Sequence, residues 1–283
     1  MRTDPTRRDL LKLGGSLAAS AFLAPSLAAS ARASWKPVPI GTQLWCVRKQ
    51  LGADIPGTLK AVAAAGFQGV ELENAFGKTG AEWRTHLDAA GLKPCGFHHT
   101  LEELGDDKLA ATVEFNQAIG NRYLIVRSLD EETYKSEDRL RKAADAVNVA
   151  AQRVKPKGMR VGYHNHALDF NRLGGEYWWN LFADRTTKDV VLQLDTGNAS
   201  EAIDLVGLVR RNAGRTVTMH VKPFSKKNPN AYIGDDEIDW PALMTAAETA
   251  GGLEWYIVEY EREGVPPIEA VKANLDAFRK LRG

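Results

Sequence analysis

The chain has little cysteine, two residues in 283, Cys46 and Cys95. Each sits in an apolar run that reads as a buried strand. An oxidising compartment permits a disulfide, but two buried cysteines on strands that are not neighbours are expected to stay free as packing residues. A surplus of either charge is also lacking, with 37 Lys and Arg against 36 Asp and Glu. No basic stripe is visible, which argues against nucleic acid or an anionic membrane as partner. Past the first 33 residues there is no low-complexity stretch, linker or short-period repeat.

The N-terminus reads as a processing signal. Thr6-Arg7-Arg8-Asp9-Leu10-Leu11-Lys12 carries a twin-arginine pattern, a weakly apolar stretch runs from Leu13 to Ala29, and Ala31-Arg32-Ala33 closes it as a small-x-small site. This is the layout of a Tat-type export signal over 1–33, and it predicts a periplasmic or secreted protein with no stable membrane association after cleavage. An uncleaved anchor helix is the alternative, but the apolar stretch is short for a span and contains Gly14, Gly15 and Pro25. The signal holds five basic and two acidic residues, so 34–283 carries 32 basic against 34 acidic, a net −2.

From Pro37 onward, strand-like runs alternate with amphipathic helical ones. The strands are expected at 40–47, 69–74, 93–99, 123–128, 160–166, 190–197, 216–222 and 254–261. Between them helices are expected at Thr58–Ala65, Ala81–Ala90, Leu109–Ile119 and Glu137–Val154, then at Tyr177–Asp184, Leu205–Asn212, Pro241–Ala250 and Ile268–Leu281. Gly66, Gly91, Gly120, Gly158, Gly214 and Gly251 stand where C-terminal glycine caps belong. Eight βα units in this length predict an α/β fold, a (β/α)8 TIM barrel over 34–283. A doubly wound sheet competes, but no glycine-rich phosphate turn follows the first strand.

Four of the runs end in clusters of His, Asp or Glu: Tyr163-His164-Asn165-His166, Leu194-Asp195-Thr196-Gly197-Asn198, Met219-His220-Val221-Lys222 and Ile257-Val258-Glu259-Tyr260-Glu261. The carboxyl ends of barrel strands are where this fold places its chemistry. Alternation along each strand turns Glu71, Glu73, His164, His166, Gln193, Asp195, Thr218, His220, Lys222, Glu259 and Glu261 inward, and sends Val217, Met219 and Val221 outward. His164, Asp195, His220 and Glu259 then offer two nitrogens and two carboxylates to one divalent ion, Mn²⁺, Mg²⁺, Co²⁺ or Zn²⁺. The set contains no thiolate, which argues against a structural zinc.

Other residues take expected roles around that site. Glu71 is a candidate general base, with a core ion pair as its bland reading. Lys222 is placed to steady an oxyanion, or is a solvated strand-end lysine. Gln43 and Trp45, at the first strand mouth, are candidates for hydrogen bonding and stacking, though Trp45 as barrel packing is equally compatible. His98 is a substrate-contact candidate. Trp178 and Trp179 either wall the mouth or anchor a helix.

The ordered motifs resemble the xylose isomerase-like TIM-barrel superfamily, the sugar phosphate isomerases/epimerases. Gly41-Thr42-Gln43-Leu44-Trp45 is similar to that family's GxQLY/W first strand. Tyr163-His164-Asn165-His166-Ala167-Leu168-Asp169-Phe170 is similar to YHNHxxEF, with Asp169 where Glu is usual. Leu194–Asn198, His220-Val221-Lys222, Ile238-Asp239-Trp240 and the Glu259 strand follow in the family's order, over 37–281. The resemblance implies ligands of Glu, Asp, His and Glu type. Three carry over as Asp195, His220 and Glu259, the first glutamate falls on His164, and His166 takes the acid/base role. Gly234-Asp235-Asp236-Glu237 departs from the commoner GxG loop.

It further implies an isomerase or epimerase that uses a divalent metal and an enediolate. A lyase or dehydratase acting on an inosose or a 3-keto-glycoside is the runner-up, and a non-catalytic sugar-binding barrel belongs to a different class. Export makes a phosphorylated substrate improbable, so an unphosphorylated sugar, cyclitol or keto-glycoside is expected. An apurinic endonuclease of the same fold would need a multi-metal site and a basic face.

Overall fold

The computed structural model describes residues 38–199 and 203–282. The twin-arginine segment at 1–33 lies outside the described residues. Eight parallel strands close into a barrel: β1 Ile40–Gln43, β2 Gly69–Leu72, β3 Lys93–His99, β4 Tyr123–Val126, β5 Arg160–His164, β6 Val191–Asp195, β7 Thr218–Val221 and β8 Trp255–Val258. Each strand pairs with the next in sequence and β1 closes on β8, so the (β/α)8 barrel is confirmed. The register sets Gln43 beside Glu71, His164 beside Gln193, and Asp195 beside His220. Among the described residues no helix is long and apolar enough to cross a membrane.

The helices form where local signals and apolar period agree. The helix Glu137–Val154 starts under a Ser136 cap and buries Leu140, Ala144, Val147, Ala151 and Val154 on one stripe. The helix Gly80–Ala90 opens with a reciprocal capping box between Thr79 and Glu82. After Trp240–Ala246 a π turn spans Ala247–Gly251, and the left-handed cap is Gly252, not Gly251. Gly251 has a different reason to be glycine, since a Cβ there would meet Thr216 and Val209 at 3.2 Å.

Strand ends depart from expectation in consistent ways. β1 stops at Gln43 because its Oε1 accepts from Trp45 N–H at 3.1 Å and turns 44–47 into a 3₁₀ segment. Cys46 therefore lies in that turn and Cys95 in β3, and both are buried and free. β5 ends at His164 and β8 at Val258, so His166, Glu259 and Glu261 lie beyond the ladders. Glu261 does not face inward but pairs with Arg48 at 2.5 Å.

The barrel interior is layered. Tyr123, Ile125, Val191 and Val217, with Trp255 against them, form an apolar plug separate from the main core between strands and helices. Val217, expected outward, joins this plug. It precedes the paired part of β7, and its carbonyl accepts from both Glu254 and Trp255 N–H, which breaks the simple alternation. Further along the strands the interior turns polar, with Glu71, His98, His164, Gln193, Thr218 and His220 all buried. Burial of so many ionisable groups has to be compensated within the layer itself.

Candidate metal centre at the barrel mouth

His164 and Asp195 are the last residues of β5 and β6, His220 lies one residue before the end of β7, and Glu259 follows β8 directly. One ligand atom from each of the four lies within 4.8 Å of the others. Asparagines hold the strand tips in register. Asn165 Oδ1 accepts from Asp195 N–H at 2.7 Å, Asn198 Nδ2 donates to the Asn165 carbonyl at 3.1 Å, and Asp195 Oδ1 accepts from Asn198 N–H at 2.7 Å. Asp195 Oδ2, in contrast, is buried with no hydrogen-bond partner and lies 3.7 Å from His220 Nδ1. A bare carboxylate oxygen in a dry site calls for a cation.

Beneath these donors lies a network that fixes ring orientations. Glu71 is fully buried; its Oε2 meets His220 Nε2 at 2.6 Å, His98 Nε2 at 3.0 Å and Gln43 Nε2 at 2.8 Å, and its Oε1 accepts from Gln193 Nε2 at 2.8 Å. Burial alone would raise the Glu71 pKa, but His98 and His220 hold it well below the usual carboxylate range. His220 thus donates Nε2–H to Glu71 and turns Nδ1 toward Glu259 Oε2, 2.8 Å away. A proton on Nδ1 satisfies Glu259 alone; a divalent cation between them would satisfy Glu259 and Asp195 together. A carboxylate behind a ligating imidazole is a common outer-shell device, and here the donor set fits it.

Gln193 decides the state of His164. Its Nε2 is committed to Glu71 and to Thr218 Oγ1 at 2.9 Å, so Oε1 must accept. It receives His98 Nε2 and His164 Nδ1, each at 2.9 Å. Nδ1 of His164 is therefore the protonated nitrogen and Nε2 the one with a free lone pair. Burial and the neighbouring His220 and His98 hold the His164 pKa well below its usual value, so the ring is neutral, as a ligand must be. His98, which converges on His164 and His220, has a carboxylate at each nitrogen: Glu71 at 3.0 Å and Glu73 at 3.2 Å. Against its burial, Glu71 pushes its pKa up to about 10. As an imidazolium it has no lone pair for a metal.

The remaining expected site residues divide. His166 lines the mouth cavity, its ring 5.0 Å from that of His164, and burial lowers its pKa, which keeps a free base at neutral pH. Its backbone N–H donates to Asp169 Oδ2 at 2.6 Å, so Asp169 anchors the turn that carries it. Lys222 Nζ donates to Glu259 Oε1 at 2.9 Å and to Asn198 Oδ1 at 3.2 Å. Burial alone would lower the Lys222 pKa, but Asp195 and Glu259 raise it well above the usual range, so it acts as a fixed cation. Trp45 stands at the rim, 43% exposed.

Three placements correct the expected roles. Glu71 has both carboxylate oxygens engaged by neighbouring side chains and no exposed surface, so it orients imidazoles and does not meet substrate. Gln43 borders the mouth, but its amide is consumed by Glu71 and Trp45 N–H. Trp178 is fully buried, stacks on Phe182 and donates Nε1–H to the Thr133 carbonyl at 3.2 Å. It anchors its helix and does not wall the mouth. Glu73, expected inward, lines the mouth cavity of about 270 Å³, together with Arg127 and Ser128, which were not singled out. The signal was available: Arg127 follows the apolar run of β4, as the metal ligands follow theirs.

A closed parallel barrel with a His₂-carboxylate₂ cluster at its carboxyl mouth defines a class, the TIM barrels equipped to hold one divalent cation. Residues 59–281 match the family described as xylose isomerase-like TIM barrel, and the chain belongs to that family. No curated protein matches it. Among solved structures it is similar to a sugar phosphate isomerase/epimerase from Parabacteroides distasonis, at 23% identity and TM-score 0.72, over 88% of this chain and 95% of that one. It is also similar to an IOLI protein with a binding zinc atom, at 13% identity and TM-score 0.66, over 86% and 98% of the two chains. A third likeness is to 3-keto-D-glucoside 4-epimerase, YcjR, from E. coli, at 16% identity and TM-score 0.59, over 86% and 99%.

Proposed function

We propose that the protein is a divalent-metal-dependent isomerase or epimerase that acts through an enediolate on an unphosphorylated sugar or keto-sugar. The observation that carries this reading is the convergence of His164, Asp195, His220 and Glu259 around the unpartnered Asp195 Oδ2. The structural likenesses to a sugar phosphate isomerase/epimerase and a keto-glucoside epimerase support the substrate class, and the zinc-binding likeness supports a metal. Bound by these four residues, the ion would polarise a substrate carbonyl and its neighbouring hydroxyl.

The chain's own residues supply the proton chemistry. The free imidazole nitrogen of His166 takes the proton from the carbon next to the carbonyl. The C–H bond breaks, its electron pair forms the C=C bond of the enediolate, and the carbonyl π pair moves onto oxygen. Lys222, already charged, steadies that oxygen. Return of the proton from the imidazolium to the former carbonyl carbon, while the neighbouring hydroxyl's proton passes to the oxyanion, isomerises the sugar; delivery of a proton from water to the opposite face of the same carbon, with His166 giving its proton to solvent, epimerises it. Where a leaving group stands β to the carbonyl, the same electron pair expels it, which is the lyase alternative.

We further place 1–33 as a twin-arginine signal and the barrel in the periplasm or outside the cell, where phosphorylated sugars are scarce. The test is incubation of the metal-loaded protein with ketoses, inososes and 3-keto-glycosides in D₂O. Deuterium at a carbon α to the carbonyl, with the isomer formed, is the expected result. Release of water or an aglycone instead assigns the lyase reaction. No exchange together with no stoichiometric divalent ion overturns the enzyme reading in favour of a sugar-binding barrel.

A further inference from the structure

A second cavity, of about 480 Å³, adjoins the barrel mouth and shares Trp45, Glu73 and Arg127 with it. The mouth alone is smaller than the ~300–1,000 Å³ of most small-molecule sites, and the two together fall within that range. The mechanism above makes no use of the second cavity. Its apolar lining is Leu44, Leu51 and Phe76, and its polar lining includes Arg48, Lys49 and Asn74.

Two aromatic side chains are held at this cavity. Trp45 is the exposed one, and it is braced: the Arg48 guanidinium lies 4.0 Å from the ring centroid, while Arg48 itself donates to the Trp45 carbonyl at 2.7 Å and to Glu261 at 2.5 Å. Phe76 adopts φ +50°, a left-handed conformation costly for a bulky residue. Asn74 Oδ1 stabilises it by accepting from Phe76 N–H at 2.5 Å, and Gly52 makes room, since a Cβ there would lie 3.3 Å from the ring. Strain of this kind persists where the surroundings over-determine it, often beside a ligand.

We propose that this cavity holds a second sugar ring, so that the substrate is a glycoside whose reacting unit sits at the metal centre and whose linked unit stacks against Trp45. A pyranose has an apolar C–H face that suits an indole and a rim of hydroxyls that suits Arg, Lys, Asn and Glu side chains. A wholly apolar aglycone would set its surface against the charged groups of Arg48, Lys49, Glu73 and Arg127. The wall common to both cavities carries Arg127 and Glu73, 3.6 Å apart, and this is where the glycosidic link crosses. The inference rests on the sugar-isomerase reading for the reacting unit only.

The test compares D-fructose with three glucosyl-fructoses linked through O3, O4 and O6 (turanose, maltulose and isomaltulose). Deuterium exchange by the Mn²⁺-loaded protein gives kcat/KM, and calorimetry gives Kd. At least one disaccharide should exceed fructose tenfold in kcat/KM, and Trp45→Ala should cut that disaccharide-to-fructose ratio at least tenfold. Phe76→Gly removes the ring and relieves the backbone, so it should fold and lower the same ratio by a smaller factor. No disaccharide better than fructose, or a ratio unchanged in both variants, overturns the subsite. If no ketose exchanges, the isomerase reading fails for simple ketoses only, while calorimetry still decides the subsite. Tighter disaccharide binding that Trp45→Ala abolishes retains it, and equal affinities overturn it.

Discussion

Glu71 Oε2 lies 2.6 Å from His220 Nε2, behind a ring whose other nitrogen faces Glu259 and Asp195. This contact fixes the proton of His220 on the nitrogen away from the ligand cluster. Glu71→Gln preserves shape but cannot preserve the pattern, because both carboxylate oxygens accept and an amide nitrogen would face a donor. The expected outcome is a loss of divalent-ion affinity of about 10–100-fold. The metal-free protein should also lose about 1–3 kcal/mol of stability. Chelator competition and denaturant unfolding in EDTA check the two effects separately, and an unchanged metal affinity would remove the role assigned to Glu71.

Asp195 and His220 carry the centre most directly. Asp195→Ala and His220→Ala are each expected to abolish metal retention and turnover, read by elemental analysis after gel filtration and by α-deuterium exchange. The asymmetry between them is informative. Asp195→Ala removes the unpartnered Oδ2 and, with Oδ1, a single hydrogen bond from Asn198 N–H, so the metal-free protein should lose only about 1–3 kcal/mol. His220→Ala leaves Glu71 and Glu259 without their buried partner and should destabilise the metal-free protein by about 3–5 kcal/mol. Equal metal-free stabilities for the two variants would contradict this account.

Gln193 commits position 164 to an imidazole, and it shows why a glutamate there fails. Gln193 Oε1 accepts from His164 Nδ1, and its amide cannot turn round because Nε2 serves Glu71. His164→Glu sets an acceptor against an acceptor in a dry layer, at a cost of about 1–3 kcal/mol in the metal-free protein. His164→Asn can still offer a donor to Gln193 and should cost less. Thermal denaturation in EDTA distinguishes them; a His164→Glu variant as stable as wild type would show that the layer is not committed to imidazole.

Much of this was legible because barrel strands obey a period of two while they are paired. The helices Leu109–Ile119 and Glu137–Val154 match expectation at both ends, and alternation placed His164, Gln193, Asp195 and His220 on the inner face. Alternation fails where the ladder stops. Glu261 turns out to Arg48, Trp45 lies in a turn made by the Gln43 side chain, and Val217 precedes the pairing of β7. Trp178 was ambiguous for another reason: an indole at a helix start has the same composition whether it faces a ligand or Phe182. The saturation of Glu71 depends on contacts across four strands that no local pattern reports.

The turn that carries His166 is tied to a buried acid, and this gives a pH dependence of definite sign. Asp169 Oδ1 accepts from Tyr163 Oη at 2.6 Å, Tyr163 Oη lies 2.8 Å from Tyr134 Oη, and Asp169 Oδ2 accepts from His166 N–H. Burial outweighs these bonds and pushes the Asp169 pKa up to about 7. The folded state therefore favours the protonated acid more than the unfolded chain does. Its contribution is fully present below the unfolded pKa of about 4 and is lost as pH rises through 7, at about 1.4 kcal/mol per pH unit in between. Asp169→Asn removes the titration while keeping a carbonyl oxygen for one of the two donors. The difference in unfolding free energy, wild type minus Asp169→Asn, should fall from pH 4 to 7 and level off above 7. Urea melts at half-unit intervals measure it, and a flat or rising difference would show that Asp169 is ionised throughout.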